Sequence, residues 1–220
     1  VQEQVQRSVF WWNKVATYAQ RKPSPLNGFD LFNYMALIVC ARARDYAEIT
    51  FHKFADELEA KDAAGQYAFG APENEKHRVT WEGIAVWTYL GATFKGLKNQ
   101  GAVMTGSAYP GLWSLVYTPG DLESMAEAYT NVYINTCGPN RYEEFYKVVK
   151  NSKSDGIVLH LNRSCKLMGL LNNEGAEYVN AKLGVPYVSF DGDQTDPRVF
   201  TPAQYETRVQ ALTEMMDENQ

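Results

Sequence analysis

The sequence predicts an α/β protein: an open parallel sheet of about four strands, flanked by helices and preceded by an α-helical lead-in. From residue 77 onward, short apolar runs rich in β-branched residues alternate with helical segments. That alternation is typical of βαβ units whose sheet is covered on both faces. Before residue 77, apolar residues recur at helical spacing instead. We therefore expect a helical lead-in and linker over 1–76 and an α/β domain over 77–220.

Three helices are predicted in the lead-in. The first covers residues 5–16 and ends before a segment with two prolines. The second, over 31–40, is apolar on nearly every side, which predicts that it is buried. The third, over 46–60, is more amphipathic. Residues 61–76, rich in glycine, alanine and acidic residues, are predicted to form a surface loop.

The α/β part is predicted to alternate regularly. Each predicted strand is short and mostly apolar, and each predicted helix carries an apolar stripe. The strands are expected at 78–81, 102–105, 156–161 and 185–190, and the helices at 87–98, 121–134, 141–151, 166–183 and 202–218.

Composition and charge exclude several classes of function. The 220 residues are 45% hydrophobic and 21% charged, as in ordinary globular proteins, and the net charge is −5. A net negative charge does not indicate a basic surface for binding nucleic acid or an anionic membrane. The longest apolar run is far shorter than the ~20 residues of a membrane-spanning helix. Three cysteines suit a reducing cytoplasm. The start is polar, unlike a signal peptide, and lacks methionine, so we expect the chain to begin mid-protein.

Chemically unusual loops follow three of the predicted strands, over 106–113, 162–166 and 191–198. Ligands of open parallel sheets bind beyond the carboxyl ends of the strands. Because those ends meet at one edge, the three loops are expected to converge on a site. Aromatic residues near the first loop (Tyr109, Trp113, Tyr117) would either pack against the lead-in or form a pocket wall.

Cys165 is the most distinctive single residue. It follows a strand and precedes a predicted helix, where backbone N–H groups favour a thiolate, and Arg163 and Lys166 add positive charge. It is a candidate nucleophile, redox thiol or metal ligand, or simply a small buried residue. Cys40, within an apolar run, is expected in the core, and Cys137 lies in a predicted turn.

Two further features leave alternatives open. His160 ends an apolar strand, where it would either touch a ligand or be a hydrogen-bonded core residue. The frame Asp191-x-Asp193-x-Thr195 after a strand matches the aspartyl-nucleophile motif of haloacid-dehalogenase-type phosphatases. That motif belongs on the first strand of its fold, whereas here it follows the last. The structural interpretation is a loop whose carboxylates bond its own backbone and Arg198.

Motifs in order along the whole chain carry a resemblance to a known family. They are NGFDLF at 27–32, IVCAR at 38–42, MTGSAYP at 104–110, HLNRSCKLM at 160–168, FDGDQTDPR at 190–198 and QYETR at 204–208. They closely resemble the second half of the α subunit of (R)-2-hydroxyacyl-CoA dehydratases of the 2-hydroxyisocaproyl-, phenyllactyl- or lactyl-CoA type. The wider family includes 2-hydroxyglutaryl-CoA dehydratase and benzoyl-CoA reductase.

This resemblance implies an anaerobic, cytoplasmic enzyme of amino-acid fermentation that removes water from an (R)-2-hydroxyacyl-CoA to give a 2-enoyl-CoA. It implies a ketyl-radical mechanism, a heterodimer with a β subunit, and an ATP-dependent iron–sulfur activator that delivers one electron. It also implies a [4Fe–4S] cluster on three cysteines, with one iron open as a Lewis acid. A non-catalytic assembly domain of the same family is the alternative.

Residue by residue, the resemblance places Cys165 at the third cluster-ligand position. Around it, Asn162, Arg163, Ser164 and Lys166 would supply polarity to the thiolates. The candidates for lining the substrate are Gly106, Ser107, Tyr109, His160 and Gln194. The resemblance implies that the other two cluster ligands belong to an N-terminal domain that is not in this sequence. Neither Cys40 nor Cys137 occupies a ligand position, and no catalytic base can be named.

Overall fold

A computed structural model describes residues 1–219. Its helices and strands follow the predicted order. The lead-in holds α1, α2 and α3, and the α/β part holds four strands joined by helices. The bounds are α1 Gln2–Thr17, α2 Phe29–Cys40, α3 Asp45–Ala63, β1 His77–Glu82, α4 Leu90–Asn99, β2 Ala102–Gly106, α5 Ala108–Gly111, α6 Leu122–Thr130, α7 Gly138–Asn151, β3 Gly156–Asn162, α8 Lys166–Gly169, α9 Asn172–Leu183, β4 Tyr187–Gly192 and α10 Pro202–Glu218.

The strands form one parallel sheet in the order β2-β1-β3-β4. This confirms the predicted open parallel sheet of four strands with an α-helical lead-in. The chain moves outward from β1 to β2, then crosses back over β1 to reach β3. The order therefore reverses between β1 and β3, and a crevice outside their carboxyl ends is the usual ligand position in such sheets.

Strand β3 shows how both faces of the sheet are filled. The side chain of Val158 belongs to the largest buried cluster, with residues of α1 to α4 and α10. Its neighbours Ile157 and Leu159 belong to a second cluster with Phe145 of α7 and Val179 of α9. Successive side chains of a strand point to opposite faces, so an apolar run on both faces requires helices on both sides.

The lead-in packs on the sheet through its apolar stripes. Val9 and Trp12 of α1 are buried, and the Trp12 ring lies 5.1 Å from that of Phe51 on α3. Burying each such side chain contributes roughly 1.5–3 kcal/mol. The same cluster includes Trp81 of β1, so buried side chains on both sides of residue 76 are in one core. The division into 1–76 and 77–220 stays a prediction.

Helix α2 is less buried than its composition predicts. Its face with Phe32 and Met35 is buried, but Tyr34 and Cys40 on the other side are exposed. The expectation that Cys40 lies in the core is therefore wrong. An apolar groove of about 500 Å³ runs along the helix and is lined by Phe32, Met35 and Cys40. Apolar composition alone does not fix burial, because folded proteins also expose much apolar surface.

Two other expectations differ from the structure at helix ends. The helix predicted over 166–183 is two helices, α8 and α9, separated at Leu170 and Leu171. The predicted loop at 61–76 begins later, because α3 continues to Ala63. Among residues 1–219, none of the helices combines the length and the hydropathy that a membrane crossing requires.

Candidate functional site

The loops after β3 and β4 meet at the carboxyl edge of the sheet, as predicted. Asn162, the buried last residue of β3, connects them. Its Oδ1 accepts hydrogen bonds from the backbone N–H of Ser164 at 3.2 Å and of Gln194 at 3.3 Å. Gln194 itself is partly exposed. One side-chain amide therefore holds both loops in a fixed relation.

Asp193 makes the second connection between these loops. Its carboxylate accepts from the backbone N–H of Ser164 at 2.9 Å and from the Ser164 hydroxyl. It also accepts from the backbone N–H groups of Thr195 at 2.9 Å and Asp196 at 3.0 Å. The Ser164 hydroxyl is the largest cause, and with these N–H donors it holds the pKa of Asp193 well below its usual range. The ionised form of Asp193 thus fastens the residue before Cys165.

These contacts support the structural interpretation of the Asp191-x-Asp193-x-Thr195 frame. Asp193 bonds backbone groups of its own loop and of the loop after β3, while Asp196 accepts from Arg198 at 2.8 Å. Arg198 likewise lowers the pKa of Asp196 to about 2. The Asp191 carboxylate is 63% exposed and lies 3.8 Å from Arg163. Asp191 is thus an exposed carboxylate beside Arg163.

Cys165 lies immediately beyond these bonds and is partly exposed. It packs against a small buried cluster that includes Ile84, Leu112 and Met168. Helix α8, which begins after it, is only four residues long, and Gly169 donates its N–H to the Cys165 carbonyl at 3.1 Å. The thiol is thus held at the sheet edge by a tight turn rather than by a long helix.

Arg163 and Lys166 flank this thiol and are exposed, as is most of Ser164. The Arg163 backbone N–H donates to the Gly192 carbonyl at 3.0 Å, so its main chain continues the pairing of β3 with β4. The side chains of Arg163 and Lys166 thus reach solvent beside the thiol, while the backbone of the segment is fixed.

Tyr109 is brought next to Cys165. Both residues, with Trp113, pack against the same small cluster. Burial, and then the nearby Cys165, raise the pKa of the Tyr109 phenol. The opposite side of Tyr109 and Trp113 lines the apolar groove of α2, together with Phe32 and Cys40. These aromatic rings form a wall between that groove and Cys165.

His160 lies beneath the edge and is fully buried. Its ring stacks on Phe190, with centroids 5.1 Å apart, and its Nδ1 pairs with the Ile84 carbonyl. Burial lowers its pKa, so the ring is neutral at neutral pH. A side chain on Gly192 would approach His160 Nε2 to 2.5 Å. These contacts support the edge from below, and a role of His160 in lining the substrate stays a prediction.

Gly106 and Ser107 face a different part of the molecule. A Cβ on Gly106 would lie 2.5 Å from Ser152 Oγ, so that position points into the protein. Ser107 lines a cavity of about 300 Å³ between the lead-in and α7, with Trp12 and Gly28. Their role as substrate-lining residues stays a prediction.

One buried group at this edge was missed by the sequence reasoning. Glu82 ends β1 and is fully buried, and the Tyr133 hydroxyl donates to its Oε1 at 2.7 Å. Arg141, also buried, lies 4.0 Å from the same oxygen. Burial outweighs these partners and raises the pKa of Glu82 to about 7. We call Glu82, Tyr133 and Arg141 the Glu82 cluster. The sequence signal that could have indicated this group is the acidic residue Glu82 directly after the predicted apolar strand 78–81.

As metal ligands, the described residues offer only a part of a site. Residues 1–219 contain no group of three or more His, Cys, Asp and Glu side chains arranged to hold a metal ion. Cys40 and Cys137 are both exposed and belong to other elements, α2 and the start of α7. The donor set near Cys165 therefore fits one ligand of an iron–sulfur cluster and not a complete cluster.

Comparison with known proteins places this arrangement in a family. The sequence model of the 2-hydroxyglutaryl-CoA dehydratase D-component matches residues 1–216. The chain belongs to this family. Every residue of the edge described above lies within the matched range, including Cys165 and the Glu82 cluster.

Several members of the family are similar along nearly the whole chain. The lactoyl-CoA dehydratase subunit alpha of Anaerotignum propionicum is 61% identical over 221 residues, which is 100% of this chain and 52% of that protein. The (R)-2-hydroxyisocaproyl-CoA dehydratase alpha subunit of Clostridioides difficile is 43% identical, over 94% of this chain and 50% of that protein.

A third member matches a similar share of the chain. The (R)-2-hydroxyglutaryl-CoA dehydratase subunit alpha of Acidaminococcus fermentans is 40% identical, over 94% of this chain and 43% of that protein. The chain thus spans about half the length of these three relatives.

Proposed function

We propose that this chain is part of the α subunit of a dehydratase that removes water from an (R)-2-hydroxyacyl-CoA to give a 2-enoyl-CoA. The observation that carries the proposal is the position of Cys165. It is a partly exposed thiol at the carboxyl edge of the sheet, in a loop fixed by Asn162 and Asp193. Family membership supplies the class of reaction.

In this proposal Cys165 is one ligand of a [4Fe–4S] cluster. Such a cluster needs further cysteines, and the proposal assigns them to a part of the subunit outside residues 1–220. When bound, the cluster would supply Lewis acidity and one-electron redox chemistry. The thiolate is the ligand form of cysteine, so the exposed cations of Arg163 and Lys166 favour binding.

The remaining residues of the edge hold Cys165 in place. Asn162 and Asp193 bond the backbone of Ser164, one residue before the thiol. Tyr109 and Trp113 cover one side of it with aromatic surface and keep water away from that side. The backbone of Gln194 is held by Asn162, and the proposal assigns its side chain to contact with a substrate from the β4 loop.

The proposal also includes partners. We propose a β subunit as the second half of the enzyme, and an ATP-dependent iron–sulfur protein that delivers the activating electron. The alpha-subunit names of the relatives are consistent with such an assembly. Because the relatives are about twice as long as this chain, the substrate is proposed only as a 2-hydroxyacyl thioester of coenzyme A.

Iron content tests the proposed function. The full-length subunit, coexpressed with its β subunit and purified without oxygen, would be analysed for iron and acid-labile sulfide. Cys165→Ser is expected to remove the α-subunit share of both and to abolish dehydration. Cys137→Ser, at an exposed position directly before α7, is the matched control and is expected to keep them. Unchanged iron in Cys165→Ser would contradict the ligand assignment.

A further inference from the structure

The turn that follows Cys165 is held by a buried arginine from another helix. Arg141 of α7 donates from Nη1 to the carbonyl of Leu167 at 2.6 Å and from Nη2 to that of Met168 at 3.0 Å. These are carbonyls of α8, which begins directly after Cys165. The two terminal nitrogens of one guanidinium therefore provide hydrogen-bond donors for carbonyls at the end of α8, which the short helix itself does not pair.

Arg141 is held in turn by the other members of the Glu82 cluster. Its guanidinium carbon lies 4.6 Å from the centroid of the Tyr133 ring, and Nη2 is 4.0 Å from Glu82 Oε1. The Tyr133 hydroxyl donates to that same oxygen. Glu82 and Arg141 are almost fully buried, so removing one leaves an unpaired polar group in the protein interior.

The cluster joins the two strands at which the sheet order reverses. Glu82 is the last residue of β1, and α8 belongs to the connection that leaves β3. Arg141 Nη2 also lies 3.4 Å from Asn172 Oδ1, at the start of α9. One guanidinium thus fixes the end of β1, the turn after Cys165 and the beginning of the next helix.

We propose that Arg141, supported by Glu82 and Tyr133, is a positioning residue that sets the place of Cys165 in the site. This inference rests on the proposed function for its biological meaning, since a cluster ligand must be held at a fixed distance from its iron. The structural effect does not require iron: loss of the Arg141 side chain loosens α8 and exposes the Cys165 thiol.

Alkylation of Cys165 in the full-length subunit, prepared free of iron, tests this inference, with the labelled Cys165 peptide quantified by mass spectrometry. Cys40→Ser and Cys137→Ser, both at exposed positions, remove the other two thiols of residues 1–220. In this background Arg141→Met is expected to raise the rate of reaction with iodoacetamide at a fixed pH by at least about threefold, because local opening governs access. Tyr133→Phe, which removes only the hydroxyl, is expected to raise the alkylation rate by a smaller factor.

The structure offers a matched control in Arg78. It is equally buried and donates to the carbonyls of Ser152 and Ala19, with Glu75 as its acidic partner, but at the amino end of β1. Arg78→Met is expected to leave the alkylation rate of Cys165 almost unchanged. An equal rise in Arg78→Met would show general loosening and would overturn the proposal.

Arg141→Lys provides a rescue test. Lysine keeps the positive charge and can donate to one of the two carbonyls, though without the planar fork. Its alkylation rate is expected to lie closer to that of the unsubstituted chain than to that of Arg141→Met. If Arg141→Lys reacts as fast as Arg141→Met, or neither Arg141→Met nor Tyr133→Phe reacts faster, the positioning role is wrong. Neither result depends on whether Cys165 binds iron, so the proposed function is judged separately by the iron assay.

Discussion

The carboxylate of Asp193 accepts the backbone N–H of Ser164 at 2.9 Å, which ties the loop after β4 to the residue before Cys165. Asp193 is buried, and its second oxygen accepts the N–H groups of Thr195 and Asp196. This buried carboxylate therefore joins the two loops, in addition to the bonds that Asn162 accepts from both of them.

Replacing Asp193 with asparagine should destabilise the chain. The amide loses the negative charge and presents an N–H₂ where backbone donors point, so we expect a loss of about 2 kcal/mol in the free energy of unfolding. Urea titration by circular dichroism measures it. Asp191→Asn is the matched control on the same loop, and it should change stability by less than about 0.5 kcal/mol because that carboxylate is exposed. Equal effects of the two variants would contradict the role of Asp193.

The same carboxylate predicts a dependence on acid. Its pKa is depressed in the folded chain, so the stability it contributes is present above its ordinary pKa near 4 and is lost as the pH falls below that value. The free energy of unfolding of Asp193→Asn should accordingly depend less on pH between about 5 and 3 than that of the unsubstituted chain. Parallel curves would contradict this prediction.

Glu82 predicts the opposite dependence. Its pKa is raised from 4.5 to about 7, so the folded chain holds the proton more tightly than the unfolded chain. The free energy of unfolding therefore falls as the pH rises from about 4.5 to about 7, and it is constant above that range. Glu82→Gln does not titrate. Its stability relative to the unsubstituted chain should thus increase by up to about 3 kcal/mol between pH 5 and pH 8.

Denaturant unfolding at several pH values measures this difference. Glu206→Gln, at an exposed position on α10, is the control and should show no such trend. A difference between Glu82→Gln and the unsubstituted chain that stays constant with pH would show that Glu82 is ionised throughout the range.

His160 gives a third titration. Burial lowers its pKa, so below about 6.5 the unfolded chain binds a proton that the folded chain does not. The free energy of unfolding therefore falls as the pH falls below about 6.5, and His160 contributes up to about 1.4 kcal/mol per pH unit to this slope. His160→Gln should remove that slope, whatever its effect on stability at pH 8. The exposed His52→Gln should leave the slope in place.

Gly83 predicts a backbone effect next to the Glu82 cluster. Its φ is +105°, and a Cβ there would lie 2.6 Å from the carbonyl oxygen of His160. Gly83→Ala should therefore cost at least about 2 kcal/mol. Gly91→Ala, at a position of α4 with nothing within 4 Å, should be neutral or stabilise by up to about 1 kcal/mol. Thermal unfolding of both variants measures the contrast, and a mild effect of Gly83→Ala would show that the loop relaxes.

The strands could be predicted because their pattern is local. An apolar run such as 156–161, bounded by polar residues, carries its own signal, and the prediction missed only Asn162 at its end. The division of 166–183 into α8 and α9 could not be predicted in the same way. It depends on hydrogen bonds from Arg141, 26 residues away from Leu167 in sequence.

The candidate site, too, could be predicted from the sequence only where the signal is local. The loop with Cys165 could be placed at the sheet edge, because the carboxyl ends of parallel strands must meet there. The burial of Glu82 could not be read from its neighbours, since it depends on Tyr133 and Arg141. The close approach of Gly106 to Ser152 also joins residues that are distant in sequence, and no local pattern indicates it.

Strand β3 has a consequence for how the chain tolerates change. Its side chains are divided between two separate interiors, with Val158 on one side and Ile157 and Leu159 on the other. Inserting or deleting a single residue in this strand would exchange those assignments and rotate the segment beyond Asn162 by half a turn. Changes in length should therefore be tolerated only in connections such as the exposed residues 71–74, while the architecture itself fixes the spacing from Gly156 to Cys165.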